Sequence, residues 1–235
     1  MLLRVLSWNV HGCVDYRGRY RPGDIVDQLE AMDADIVALQ EIETGPGARG
    51  DGRDLRQLLT RTVAPYQVFA GTLQRAAGSY GHILLSRFPV ERARIIDLPR
   101  LDVEPRKLIH GRLRVNEQPV DVFAAHLGFR RREQSEQIRA VARRMKRASG
   151  AAILLGDLNE RFRRGATFRA MSPGFESAPR RATFPSRWPV LPLDQIWFSG
   201  FDIVHSRVAR EAGRLSDHLP ITAGLQLPAR LHRSE

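Results

Sequence analysis

Five times in this chain an apolar, strand-like stretch adjoins a side chain able to bind a metal or move a proton. Gly156-Asp157-Leu158-Asn159 stands directly behind the run Ala151 to Leu155. Leu2 to Val10 carries Asn9, Ile36 to Ile42 carries Glu41, Val120 to Leu127 carries His126, and the stretch before Ile221 carries Asp217 and His218. Strands that share a sheet end on a common edge, so residues far apart in sequence can assemble one pocket there. The pattern therefore demands a sheet protein with chemistry at its strand ends.

Size and composition agree. A chain of 235 residues suits one α/β domain with room for a full core. We expect residues 1–228 to form that domain, followed by a short polar tail at 229–235. Hydrophobic content of 43% and charged content of 27% describe a soluble globular protein. No apolar run approaches the ~20 residues of a membrane helix. The opening Met1-Leu2-Leu3-Arg4 is too closely followed by Asn9 to read as a cleaved leader. The single cysteine, Cys13, excludes an internal disulfide and a zinc-type cluster, which points to the cytoplasm.

A net charge of +11 would attract an anionic substrate. Lysine occurs only at Lys107 and Lys146, so the basic charge is almost all arginine, and its meaning stays open between a functional face and genome composition.

Helices and strands interleave early and strands dominate later. A helix capped by Asp24 is expected after Gly23, with Ile25, Val26, Leu29 and Met32 on one side. A strand over Asp35 to Glu41 follows, then a helix over Arg53 to Val63. Strands are expected at Ile83 to Leu85 and Val90 to Leu98. Leu108 to Val115 and Val120 to Leu127 read as a hairpin across Asn116-Glu117-Gln118-Pro119. A helix over Arg132 to Ala148 buries Ile138, Val141, Ala142 and Met145 and turns Arg139, Arg143, Arg144 and Arg147 to solvent. Gly165 to Pro192 reads as a long structured connection over the pocket edge.

The ordered set Trp8-Asn9-Val10, Leu39-Gln40-Glu41, Ala125-His126-Leu127, Gly156-Asp157-Leu158-Asn159, Leu193-Asp194-Gln195-Ile196 and Ser216-Asp217-His218-Leu219-Pro220 spans positions 8 to 220. In order and spacing it resembles the endonuclease/exonuclease/phosphatase superfamily, the metal-dependent phosphoesterases that include deoxyribonuclease-I-like enzymes. The resemblance implies a four-layered α/β sandwich, with two packed mixed β-sheets flanked by helices.

It also implies the chemistry of phosphate-ester hydrolysis, in which charge on the phosphoryl oxygens must be neutralised, water activated and the leaving alkoxide stabilised. A hard cation, Mg²⁺ with Mn²⁺ as a substitute, suits the first and third tasks. Glu41 is the leading ligand, assisted by Asn9 and, if the family pattern transfers, by Asp217. His218 matches the family's general base, with Asp194 holding its other nitrogen. Asp157 would orient the attacking water or its metal, and Asn159, two residues on along an extended segment, would donate to a phosphoryl oxygen. His126 resembles the phosphate contact or leaving-group donor. Arg106 is placed as a phosphate clamp by position.

Departures from the family pattern are Ala125 for threonine, Leu158 for phenylalanine and Gln195 for tyrosine or arginine. His82 occupies a stretch where relatives carry asparagine, which could put it near the pocket; His11, His110 and His205 read as ordinary residues. The chain has little room for the duplex-gripping loops of abasic-site endonucleases and lacks the regularly spaced aromatic and basic residues of a single-strand platform. The substrate stays open between nucleic acid and a phospholipid or other small phosphodiester. Phe184 to Pro189, with Phe175 and Trp197, reads as core cover or as apolar lipid contacts. The rival expectation is a catalytically silent member that binds anionic ligands. Metal count and oligomeric state are not set at this level.

Overall fold

A computed structural model describes residues 1–45, 55–75, 78–99 and 104–228. The chain builds β1 (Leu2–Asn9), α1 (Pro22–Met32), β2 (Ile36–Thr44), α2 (Leu55–Thr62), β3 (Tyr66–Arg75), β4 (Gly78–Ser86), β5 (Val90–Asp97), β6 (Lys107–Val115) and β7 (Gln118–His126). It continues with α3 (Arg131–Met145), β8 (Ala151–Asp157), α4 (Ala166–Met171), β9 (Glu176–Ser177), β10 (Asp194–Ser199), β11 (Asp202–Val208) and β12 (Ile221–Gln226). One six-stranded sheet runs β11-β12-β1-β2-β4-β3 and the other β5-β6-β7-β8-β10-β9. Both are mixed: β1 with β2 and β7 with β8 pair parallel, the rest antiparallel.

The central strands bury both faces, which is why their sequences are continuous apolar runs and not alternating ones. Leu3, Val5, Ile36 and Leu84 pack between the sheets against Ile109, Val122, Ile153 and Leu155. The opposite face of the first sheet, through Leu6, Trp8, Val37 and Leu39, covers Ile25, Val26 and Leu29 of α1 and Leu55 and Leu59 of α2. Phe123, Leu154 and Trp197 do the same for Ile138, Val141 and Met145 of α3 and Met171 of α4. The four expected layers follow from this double burial, each large apolar side chain contributing on the order of 1.5–3 kcal/mol.

Local expectations needed correction. Asp24 does not cap α1: Pro22 begins the helix, where its missing N–H costs nothing, and Asp24 instead accepts a bond from Arg21 Nε at 2.8 Å. The hairpin turn is only Asn116-Glu117, both at positive φ, which matches strand twist in a two-residue turn, so Pro119 lies in the ladder opposite Arg114. β3 was not among the expected strands, because it is an edge strand whose alternation is broken by a bulge near Gly71. The connection from Gly165 to Pro192 contains α4, β9 and a bridge between Phe184 and Leu191. The tail expected at 229–235 and the first two residues of the helix expected from Arg53 lie outside the described residues. No helix among the described residues is long and apolar enough to cross a membrane.

Candidate active site

Register brings the second sheet's site residues into one row. His126 is the parallel partner of Asp157, and Asp194 is its antiparallel partner. The close approach of β7 and β8 requires Gly156, where a Cβ would stand 2.0 Å from the Ala125 carbonyl oxygen. From the first sheet, Asn9 ends β1 and reaches across. Its Nδ2 donates to Glu41 Oε1 at 3.0 Å and to Asp157 Oδ2 at 3.2 Å, while its Oδ1 accepts from the His11 N–H at 3.1 Å. Glu41 sits at a bulge in β2 with φ 60°, a left-handed conformation costly for a non-glycine residue. The bulge breaks strict alternation and re-aims the carboxylate.

His218 lies in a bend before β12, not on a strand, yet its neighbour Asp217 still points elsewhere. His218 Nδ1 is 2.8 Å from Asp194 Oδ2, and its Nε2 is 3.8 Å from Asp157 Oδ2. Thr183 Oγ1 donates to the same Asp194 oxygen at 2.6 Å, and Trp8 Nε1 donates to the His218 carbonyl at 3.0 Å. The His218 N–H donates to Ser216 Oγ at 3.1 Å, and that hydroxyl donates to the Asn9 carbonyl at 2.7 Å. Phe184 packs on the imidazole with centroids 4.8 Å apart. Burial disfavours the imidazolium, but the charge and hydrogen bond of Asp194 outweigh it and push His218 up to about 10. Burial pushes the Asp157 carboxyl up, with Asp194 adding to the effect and His218 opposing it.

His126 is buried and faces Arg106, whose Nη1 is 3.0 Å from Nδ1. Burial, then the neighbouring guanidinium, holds this imidazole neutral. With Nδ1 accepting from Arg106, the remaining proton is on Nε2, 3.5 Å from Asp157 Oδ2. Arg106 is further anchored by Glu104 at 3.2 Å.

Asn159 departs from the extended geometry expected of it. β8 ends at Asp157, and Asn159 takes φ 51°, its N–H donating to Asp157 Oδ1 at 3.0 Å and its Nδ2 to the Leu127 carbonyl at 2.8 Å. It closes the strand end in an Asx-type turn, and of its two amide hydrogens one is left for a ligand.

Three further side chains were missed. His11 stands 3.6 Å from both Glu41 Oε2 and Asp217 Oδ1, and the Tyr80 hydroxyl hydrogen-bonds Glu41. Thr183 anchors Asp194 from the long connection. Position two residues beyond Asn9 was the one available signal for His11; nothing local marks Tyr80 or Thr183. Burial alone would raise the Glu41 carboxyl, but the adjacent His11 ring and hydrogen bonds from Asn9 and Tyr80 hold it well below the usual carboxylate range. His82 is fully buried and hydrogen-bonds the Ala124 backbone of the other sheet. Gln195 accepts from Trp197 Nε1 at 2.9 Å, Leu158 is core, and so are Phe175 and Trp197, whereas Trp188 is 80% exposed.

Two seats for a cation can be weighed by donor chemistry. Asp157, Asp194 and His218 offer ligand atoms within 4.8 Å of one another. Asp194 Oδ2, however, already takes two hydrogen bonds and is committed to holding His218. Glu41 and Asp217 converge on the half-exposed His11 ring and offer hard carboxylate oxygens at the mouth, which fits a magnesium-type ion with several waters. Four carboxylates gathered by one Asn and two His also leave a net negative charge that a divalent cation would balance. Asn9 could add its carbonyl only with the amide reversed, since in the observed rotamer the NH₂ faces both carboxylates.

The sequence model of the endonuclease/exonuclease/phosphatase family matches residues 6–218. An uncharacterised Escherichia coli K12 protein, YbhP, is 25% identical over 243 aligned positions, covering 95% of this chain and 96% of its own. Among solved structures, an endonuclease/exonuclease/phosphatase of Beutenbergia cavernae superposes with TM-score 0.79 at 23% identity, over 97% of this chain and 72% of that one. A mannosyl-6-phosphatase of Bacteroides thetaiotaomicron gives 0.74 at 20%, over 95% and 99%. A humanised D. rerio TDP2 gives 0.76 at 21%, over 96% and 99%.

Proposed function

Because this chain belongs to the endonuclease/exonuclease/phosphatase family, we propose that it is a Mg²⁺-dependent phosphodiesterase, with Mn²⁺ as a substitute ion. The observation that carries this reading is the buried His218–Asp194 pair at 2.8 Å, set beside Asp157 and reached from the other sheet by Asn9. Glu41 and Asp217 would hold the cation. Bound there, it would supply charge neutralisation at the phosphoryl oxygens and, by offsetting the carboxylate charge that keeps His218 protonated, lower the proton affinity of that ring so that Nε2 can accept a proton near neutral pH.

The protein's own groups do the rest. Asp194 fixes the ring of His218 so that Nε2 faces the Asp157 side, where the attacking water is held and loses its proton. Asp157 orients that water. Arg106 and the Nε2–H of His126 supply donors to a phosphoryl or leaving oxygen, and Asn159 adds its free amide hydrogen. The compartment proposed is the cytoplasm, on the single cysteine, which is buried.

The test is hydrolysis of bis-(p-nitrophenyl) phosphate with Mg²⁺, Mn²⁺ or chelator, comparing wild type with His218→Ala. Metal-dependent turnover lost in the variant is expected. Equal turnover in both proteins would overturn the role given to His218, and no turnover with either metal would favour the silent binding module.

A further inference from the structure

Asn159 also lines the wall of a cleft of about 540 Å³ that leaves the active site between α3 and the loop before α4. Arg131, Arg132, Arg161, Arg164 and Arg169 line it, with Phe129 and Phe162. Of these arginines, only Arg132 has an acidic ion-pair partner among the described residues, Glu136 at 3.6 Å. The two rings are 63% and 52% exposed, an unusual state for phenylalanine. Each carries a guanidinium at cation–π distance, Arg161 at 5.9 Å from Phe129 and Arg131 at 5.0 Å from Phe162.

The cleft wall is preorganised. Buried Glu160 accepts from the N–H of Phe162 at 2.9 Å and of Thr167 at 3.2 Å. Gly165 is where the chain folds over that carboxylate, since a Cβ there would lie 2.0 Å from it. Buried Gln134 of α3 ties the wall down by donating to the Leu158 carbonyl at 3.2 Å and to Thr167 Oγ1 at 2.8 Å. The Glu160 carboxylate, itself part of the cleft wall, accepts from these backbone N–H groups and makes no ion pair with the cleft arginines among the described residues.

A second cleft opens at the other margin of the site, beside His11 and Asp217. It repeats the pairing of exposed ring and arginine, with Tyr16 44% and Trp188 80% exposed and Arg187 5.7 Å from the Tyr16 ring. Asn9, bonded to Glu41 on one side and Asp157 on the other, lies between the two margins.

We infer that the cleft of Phe129, Phe162 and the unpaired arginines is a binding track for a single-stranded nucleic acid continuous with the scissile phosphate. The inference rests on the proposed phosphodiesterase only for the position of that phosphate. Exposed rings offer stacking faces to unpaired bases, and guanidinium groups without a carboxylate partner can meet the phosphates between them. A duplex keeps its bases stacked on each other and cannot use the rings. A phospholipid would want a continuous apolar slot, and this cleft is walled by charge. The sequence concealed the platform because its rings and arginines come from the loop between β7 and α3, the start of α3, the loop after β8 and α4, with no regular spacing along the chain.

The test is fluorescence anisotropy of a short fluorescein-labelled oligothymidylate with the full-length protein in EDTA at low salt. Binding is thus read without hydrolysis. Phe129→Ala/Phe162→Ala is expected to raise Kd at least tenfold without moving Tm. Arg131→Gln/Arg161→Gln is expected to raise Kd and to lower the slope of log K against log salt by about 0.7 for each phosphate no longer engaged. The arginine pair keeps the question answerable should the ring variant fold poorly. Wild-type affinity in both variants overturns the inference, as does binding to phosphatidylglycerol vesicles without binding to the oligonucleotide. Failure of diester hydrolysis with the binding result intact would remove the proposed chemistry and leave the track standing; the converse result would remove the track alone.

Discussion

Asn9 of the first sheet donates a hydrogen bond to Asp157 of the second, 148 residues later in the chain, and with the same nitrogen holds Glu41. A neutral donor between two carboxylates offsets their repulsion without adding a charge that would repel a cation. The active-site edges of the two sheets are joined at this amide.

Asn9→Ala should therefore lower kcat/KM for a diester by about tenfold to a hundredfold, the cost of about 1.5–3 kcal/mol expected when charge-assisted hydrogen bonds are removed. Asn9→Asp should be worse, because it sets a third carboxylate against Glu41 and Asp157. Steady-state kinetics of both variants decides this; an Asp variant as active as the Ala variant would show that the bridge is not electrostatic.

His218→Ala and Asp194→Asn should each reduce kcat by about 10²- to 10⁴-fold, and the double variant should be scarcely slower than the worse single one, since the two groups act as a unit. Asp157→Ala should fall in the same range. Circular dichroism should stay unchanged in all of them. Multiplicative losses in the double variant would contradict a shared role.

Metal binding should be visible without turnover. Saturating Mg²⁺ at 100 times Kd contributes about 2.7 kcal/mol of stability, several degrees in Tm for a chain of this size. Glu41→Gln should abolish most of the shift and chelator should reverse it. An unchanged wild-type Tm, or an equal shift in the variant, would rule out the Glu41 seat.

Acid should destabilise the fold through His82. Burial, then the charge of Arg106, lowers this imidazole to about 4 from its usual 6.5, so the unfolded chain takes up the proton first as pH falls. Its contribution is fully present above about pH 6.5 and is lost progressively down to about pH 4, a span on the order of 3 kcal/mol. Urea unfolding at several pH values should show stability falling across that window and a shallower fall in His82→Gln. His126, also held neutral by burial, will keep part of the slope in the variant.

Glu41 and His11 mark the boundary of what was legible in the chain. The run ending at Glu41 announced a strand-end carboxylate, but its φ of 60° at a bulge, which sets its aim, leaves no trace in composition. His11 read as an ordinary residue until β1 and β2 placed it between Glu41 and Asp217. Asn159 was identified by motif and then assigned the wrong backbone, because an Asx-type turn and an extended pair have the same two-residue spacing.

The amino-acid sequence by itself determined the doubly buried strands and the polar residues that end them, because apolar run length and period are local properties governed by burial. It also set the order of the family's motifs. Tertiary structure decided what those residues touch: Asn9 with Asp157, Thr183 with Asp194, and two phenylalanines with a set of unpaired arginines. Each of these contacts joins segments whose distance along the chain carries no periodic signal, and they meet only once the sheets have closed and the intervening loops have spent their own hydrogen bonds.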